Sequence, residues 1–121
     1  MNPAKPTLNL LVLKTNNLQP LFEFYSDLGI DFEYHQHGNG PHHYASKGIN
    51  PVIEIYPLPK QIPQPDTTTR LGFSVENLDQ LIEILKTKET SIVTEPSQTP
   101  WGYVAIIQDP DGRKIELTEK S

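Results

Sequence analysis

Two glutamates stand out because each sits alone between apolar neighbours: Glu54 in Ile53-Glu54-Ile55 and Glu116 in Ile115-Glu116-Leu117. Side chains alternate along a strand, so each triplet presents one greasy face and a single carboxylate on the other. A carboxylate in a closed cavity can serve as a general base, because loss of water raises its pKa toward working pH. Glu54 and Glu116 are therefore the candidate catalytic residues. All four histidines lie in one stretch, His35-Gln36-His37-Gly38-Asn39-Gly40-Pro41-His42-His43. Across such a turn His35 and His37 share a face, while His42 and His43 point to opposite faces. Two or three imidazoles could converge there, and neutral imidazole suits zinc, copper or nickel. The alternatives are a polar hairpin near a sheet edge, which is preferred, and ligand contact through His37 and His43. Thr99-Pro100-Trp101-Gly102-Tyr103 sets two aromatics beside a glycine. Trp101 either caps the core edge or joins Tyr103 at a cavity mouth, where rigid aromatic surfaces favour planar or hydrophobic ligands. Tyr44 and Tyr56 are further aromatic candidates, read first as core. No Gly-x-Ser-x-Gly context or phosphate-cradling glycine loop occurs.

The elements that must hold these residues repeat. Leu8 to Leu13 reads as a buried strand, and Asn16-Asn17 offers an N-cap with Pro20 in the first helical turn. Leu18, Leu21, Phe22, Tyr25 and Leu28 form a helical stripe that Gly29 closes. Gly38-Asn39-Gly40-Pro41 predicts a hairpin joining Glu33–His37 to His42–Ser46, and a strand follows from Pro51 to Tyr56. Proline then dominates residues 57–65, an extended connector. After it the programme restarts: strand at Arg70–Val75, N-cap at Asn77 with Gln80 placed for a capping box, and a stripe of Leu78, Leu81, Ile82 and Leu85. Strands at Ser91–Thr94, Tyr103–Gln108 and Lys114–Thr118 complete it. Asn77-Leu78 lies 60 residues after Asn17-Leu18, and Glu116 lies 62 after Glu54. The fold class is therefore α+β, with two tandem βαβββ modules at about 7–57 and 67–119 in a single domain spanning 1–121.

Each helix must bury its stripe on one face of a mixed, curved sheet. By period two, Leu11, Leu13, Leu71, Phe73 and Val75 face the helices. Leu10, Glu54, Arg70 and Glu116 fall at equivalent positions of the two helix-free faces. If the sheets curve toward each other, these four meet in one cavity. Two carboxylates there repel, so a guanidinium between them offsets the repulsion. Arg70 is read first as that buried partner and second as a bidentate hold on a ligand carboxylate or phosphate.

The chain carries a net charge of −5 with no basic cluster, so nucleic acid is not an expected partner. Its longest aliphatic run, Leu10 to Leu13, is far short of the roughly 18 residues of a membrane span. With no signal peptide visible and no cysteine, the expected location is cytoplasmic.

Leu8-Asn9, Phe24-Tyr25-Ser26-Asp27-Leu28-Gly29, Phe73-Ser74-Val75-Glu76-Asn77-Leu78 and above all Asp109-Pro110-Asp111-Gly112 with Ile115-Glu116-Leu117 carry a resemblance. The chain resembles the vicinal oxygen chelate superfamily of glyoxalase I, extradiol dioxygenases, fosfomycin-resistance transferases and bleomycin-resistance proteins. The resemblance implies ligands at the four matched positions in metal-dependent members, commonly His or Gln, Glu, His and Glu. This chain keeps Glu54 and Glu116 but has Leu10, with no donor atom, and Arg70, which cannot deprotonate to ligate. The His-Gly-Asn-Gly-Pro-x-His-Tyr string is also similar to one in a glyoxalase-like subgroup, which favours a pocket role for His37 and His43. No metal or other cofactor is expected. A small-molecule ligand and a homodimer are the expected partners; a metal-dependent lyase or dioxygenase with unusual ligands is the alternative.

Overall fold

The computed structural model describes residues 2–121. The first module comprises β1 (Leu10–Thr15), α1 (Leu18–Asp27), β2 (Asp31–His35), β3 (His43–Lys47) and β4 (Val52–Pro57). The second repeats it with β5 (Leu71–Val75), α2 (Leu78–Thr87), β6 (Ser91–Thr99), β7 (Gly102–Gln108) and β8 (Lys114–Glu119). The sheets run β1-β4-β3-β2 and β5-β8-β7-β6. In each, the first and last strands pair in parallel and the other pairings are antiparallel. The duplicated mixed-sheet architecture expected from the 60-residue echo is thus present.

Local chemistry explains most boundaries. Gly29 adopts φ +102°, and its N–H closes on the Ser26 carbonyl at 2.9 Å, ending α1. At α2, Asn77 Oδ1 accepts from Gln80 N–H at 3.2 Å, while the Glu119 carboxylate takes Leu78 N–H at 3.0 Å. Asn17 occupies the same place before α1, but its side chain makes no cap bond. There Thr15 Oγ1 accepts the Asn17 N–H at 2.9 Å instead. Several strands differ from the sequence reading, β1 among them: it runs later than the buried strand expected from Leu8 to Leu13 and leaves Leu8 and Leu10 exposed. β2 stops at His35, which leaves His37 in the loop. β6 continues well past Thr94, through Pro96. Proline is tolerated because β6 is an edge strand whose pairing with β7 shifts register on either side of Thr94.

The core is one apolar cluster that spans both modules. It takes Leu21, Phe24 and Tyr25 from α1, Leu78, Ile82 and Leu85 from α2, and Ile53, Ile55, Ile115 and Leu117 from the parallel strands. The strand residues follow the predicted alternation: Ile115 and Leu117 are fully buried while Glu116 between them is exposed. Among the described residues no helix is long and apolar enough to cross a membrane.

A buried charged knot ties the modules together. Arg113 is 1% exposed, with Nη1 donating to Asp109 Oδ2 at 3.1 Å and Asp111 Oδ2 at 3.0 Å. Its Nη2 donates to the Lys14 carbonyl of β1 at 3.2 Å. Thr15 donates to Asp111 and the Tyr25 hydroxyl to Asp109, both at 2.9 Å. Burial, then the negative charge of Asp109, push the Tyr25 phenol far above its ordinary value. The folded chain therefore keeps that proton at a pH where the unfolded chain releases it. Stability is full below about pH 10 and falls above it by about 1.4 kcal/mol per pH unit for this one group. Urea unfolding from pH 9.5 to 11 is expected to show a fall that steepens toward that slope in the parent and is shallower in Tyr25→Phe; equal slopes would contradict the assignment.

Candidate ligand-binding site

The helix-free face of the second sheet forms an open hollow of about 540 Å³. Val104 and Ile106 of β7 and Glu116 and Thr118 of β8 make its floor, because each alternates with a core residue on its own strand. Thr94, Ser97 and Thr99 of β6 line one side, and Trp101 stands at the β6–β7 turn, 85% exposed. The turn is held by Thr99 Oγ1, which donates to the Gly102 carbonyl at 2.8 Å and accepts from Trp101 N–H at 3.1 Å. Gly102 at φ +124° makes the turn possible. Gly72 lies opposite Glu116 in the parallel ladder, with no side chain to cover the carboxylate. The hollow thus offers an indole, aliphatic side chains, hydroxyls and one carboxylate: a surface for a flat organic molecule carrying a donor or a positive charge.

The equivalent face of the first sheet is different chemically. Glu54 is partly covered, and His43 beside it is fully buried, with Nε2 3.7 Å from Glu54 Oε2. The His43 ring stacks on Tyr56 at 4.1 Å and 7°. Tyr56 therefore faces away from the helix, not into the core as the sequence suggested. His43 is the cross-strand partner of His35. The His35 Nε2 lies 2.9 Å from Glu33 Oε2, and this bond, then Lys47, hold the Glu33 carboxyl below the usual carboxylate range. His37 is exposed and adjoins both rings. His42 lies on the opposite side, stacked on Tyr34. The facing of all four histidines is as expected. Leu10 and Val12 of β1 are also exposed on this side, at 47% and 38%.

Two expected placements are corrected. The sequence reading put the Arg70 guanidinium between Glu54 and Glu116. Instead Glu54 pairs with His43, and exposed Arg70 borders a separate hollow of about 580 Å³ with Leu8, Ile49 and Phe73. The reason is register: the β5–β8 ladder starts at Leu71, so Arg70 is the last connector residue and not a strand residue. Tyr103 does not share the hollow with Trp101. It keeps step with buried Ala105 and Ile107, and its hydroxyl donates to Asp79 of α2 at 2.7 Å. That hydrogen bond raises the Tyr103 phenol pKa. Tyr44 likewise lies on the helix side, stacked on Phe22 at 3.9 Å.

The four matched positions do not fit a shared metal within one chain. Leu10 offers no donor, Arg70 no lone pair, and Glu54 and Glu116 sit on separate sheets.

Residues 7–117 match the family model of the Glyoxalase/Bleomycin resistance protein/Dioxygenase superfamily. No curated protein matches at the level of sequence. Among solved structures, the chain is similar to TnmS3, an antibiotic binding protein from Streptomyces sp. CB03234, at 22% identity and TM-score 0.79, covering 99% of this chain and 100% of that one. It is also similar to a glyoxalase/bleomycin resistance protein/dioxygenase from Nocardioides, at 19% identity and TM-score 0.71, covering 98% and 85%. A V278E glyoxalase I mutant from Zea mays gives 18% identity and TM-score 0.77, covering 94% of this chain and 44% of that one.

Proposed function

Because the chain belongs to the glyoxalase/bleomycin resistance protein/dioxygenase superfamily yet has Leu10 and Arg70 at two of the four matched positions, we propose that it binds a small organic molecule without a metal at those positions. The observation that carries this reading is the Trp101 hollow on the second sheet, whose size of about 540 Å³ suits a drug-sized ligand. Trp101 stacks on a planar ring, Val104 and Ile106 bury its apolar edge, and Glu116 accepts a hydrogen bond or balances a positive charge. Arg70, at the neighbouring hollow, is available to an anionic group. The antibiotic-binding description of TnmS3 supports the ligand class. A second copy of the chain covers the exposed helix-free faces and turns open hollows into a closed cavity, so the working form is a homodimer.

Trp101 is the single tryptophan, so intrinsic emission reports on the hollow directly. Titration with a panel of planar aromatic antibiotics is expected to quench or shift it for at least one compound. Trp101→Ala should weaken that compound at least 10-fold by calorimetry, in line with loss of about 1.4 kcal/mol or more of stacking and burial. Unchanged affinity in Trp101→Ala would place the ligand elsewhere, and light scattering that finds a monomer at micromolar concentration would remove the covering copy. The second reading, a metal-dependent lyase or dioxygenase with Glu54 or Glu116 as general base, requires turnover of a hemithioacetal or a catechol. Only the shared fold favours it.

A further inference from the structure

The end of the β2–β3 hairpin gathers donors that the Trp101 hollow does not use. One ligand atom from each of His35, His37 and His43 lies within 4.8 Å of the other two. The ring centroids are 5.2 to 5.8 Å apart. His43 is 1% exposed, and its Nε2 has no hydrogen-bond partner. Its Nδ1 lies 3.3 Å from the Pro41 carbonyl oxygen, which can only accept. The ring proton therefore sits on Nδ1, and Nε2 presents a bare lone pair. The group facing that lone pair is a second acceptor, Glu54 Oε2, at 3.7 Å. Two acceptors set face to face at a buried nitrogen are unfavourable unless a cation stands between them.

His35 repeats the arrangement. Its Nε2 is engaged by the Glu33 carboxylate, which leaves Nδ1 as the free lone pair. Imidazole ligands of metals are held in this way, with the second ring nitrogen tied to a backbone carbonyl or a carboxylate. The Tyr56 stack fixes the His43 ring, and the ladder fixes His35 opposite it. His37, exposed in the loop, is the member free to close on an ion. Ligands about 2.0–2.1 Å from a tetrahedral ion stand about 3.3 Å apart, so the closure is of the order of an ångström.

We propose that His35, His37 and His43 bind one divalent transition ion of the zinc class, with a water molecule as the fourth ligand and the Glu54 carboxylate beside His43. The site lies on the first sheet, takes no ligand from the four matched positions, and does not rest on the Trp101 hollow. Either can fail alone.

Tag-free protein, stripped with a chelator and dialysed, should be titrated with Zn²⁺ by calorimetry and with Co²⁺ by visible absorption. The expected result is one ion per chain at micromolar affinity or tighter, with the intense bands of four-coordinate Co²⁺. His37→Ala and His43→Ala should each weaken binding by about 100-fold or more, and His42→Ala should leave it unchanged. His37 is exposed, so its variant folds irrespective of how buried His43 tolerates truncation; circular dichroism checks the latter. Absence of a stoichiometric ion in the parent, or affinity that survives His37→Ala, would overturn the site.

Discussion

Replacing Arg113 with alanine is expected to cost the fold about 3–5 kcal/mol, read as a fall in the urea midpoint at unchanged slope. Its guanidinium sits between the side chains of Asp109 and Asp111, which are 0% and 2% exposed. Removal leaves two carboxylates without their cation in a place where water cannot replace it. The Lys14 carbonyl of the other module loses its donor in the same step. Burial opposes the charged form of Arg113, but Asp109 and Asp111 outweigh it and the guanidinium pKa rises. Arg113→Met, which restores most of the volume, should recover little, because the missing quantity is charge. A loss below about 1 kcal/mol in both variants would mean that the carboxylates find other partners, and the knot would then not be what joins the modules.

The second large effect is a contrast between neighbours. Ile115→Ala should cost about 2–5 kcal/mol, since a fully buried β-branched side chain leaves a cavity under α2. Glu116→Gln, one residue on, should stay within about 0.5 kcal/mol, because it projects into solvent from the opposite face. For ligand affinity the order reverses, with Glu116→Gln the damaging change. Equal stability losses at the two positions would contradict the alternation on which the site assignment stands.

That alternation was readable in the sequence because it is local. Period-two strands, period-3.6 helices and a 60-residue echo together specify which side of each sheet is greasy. Tyr103 carries the same local signal: it shares parity with Ala105 and Ile107, which assigns it to the core side. Arg70 shows where such signals fail. Its role depended on the residue at which the ladder begins, and strand ends are set by pairing across the sheet and not by the strand's own composition. Arg113 was invisible for another reason. Within Asp109-Pro110-Asp111-Gly112-Arg113 it reads as a turn residue, while the carbonyl it binds lies 99 positions away in the chain. The histidines stood in between, since their spacing implied convergence but only the register of His35 against His43 brings it about.

Val12 and Gly72 occupy equivalent rungs, beside Glu54 and Glu116 respectively. One wall therefore carries an isopropyl group where the other carries only hydrogen. A methyl at position 72 would meet nothing nearer than the Glu116 carbonyl oxygen at 3.9 Å and its carboxylate at 4.0 Å, so the recess is genuine and not filled from below. The Glu116 carboxylate is therefore left uncovered on that side, whereas Val12 stands beside Glu54. The two halves of one repeated plan thus differ in how openly each presents its acid to whatever approaches.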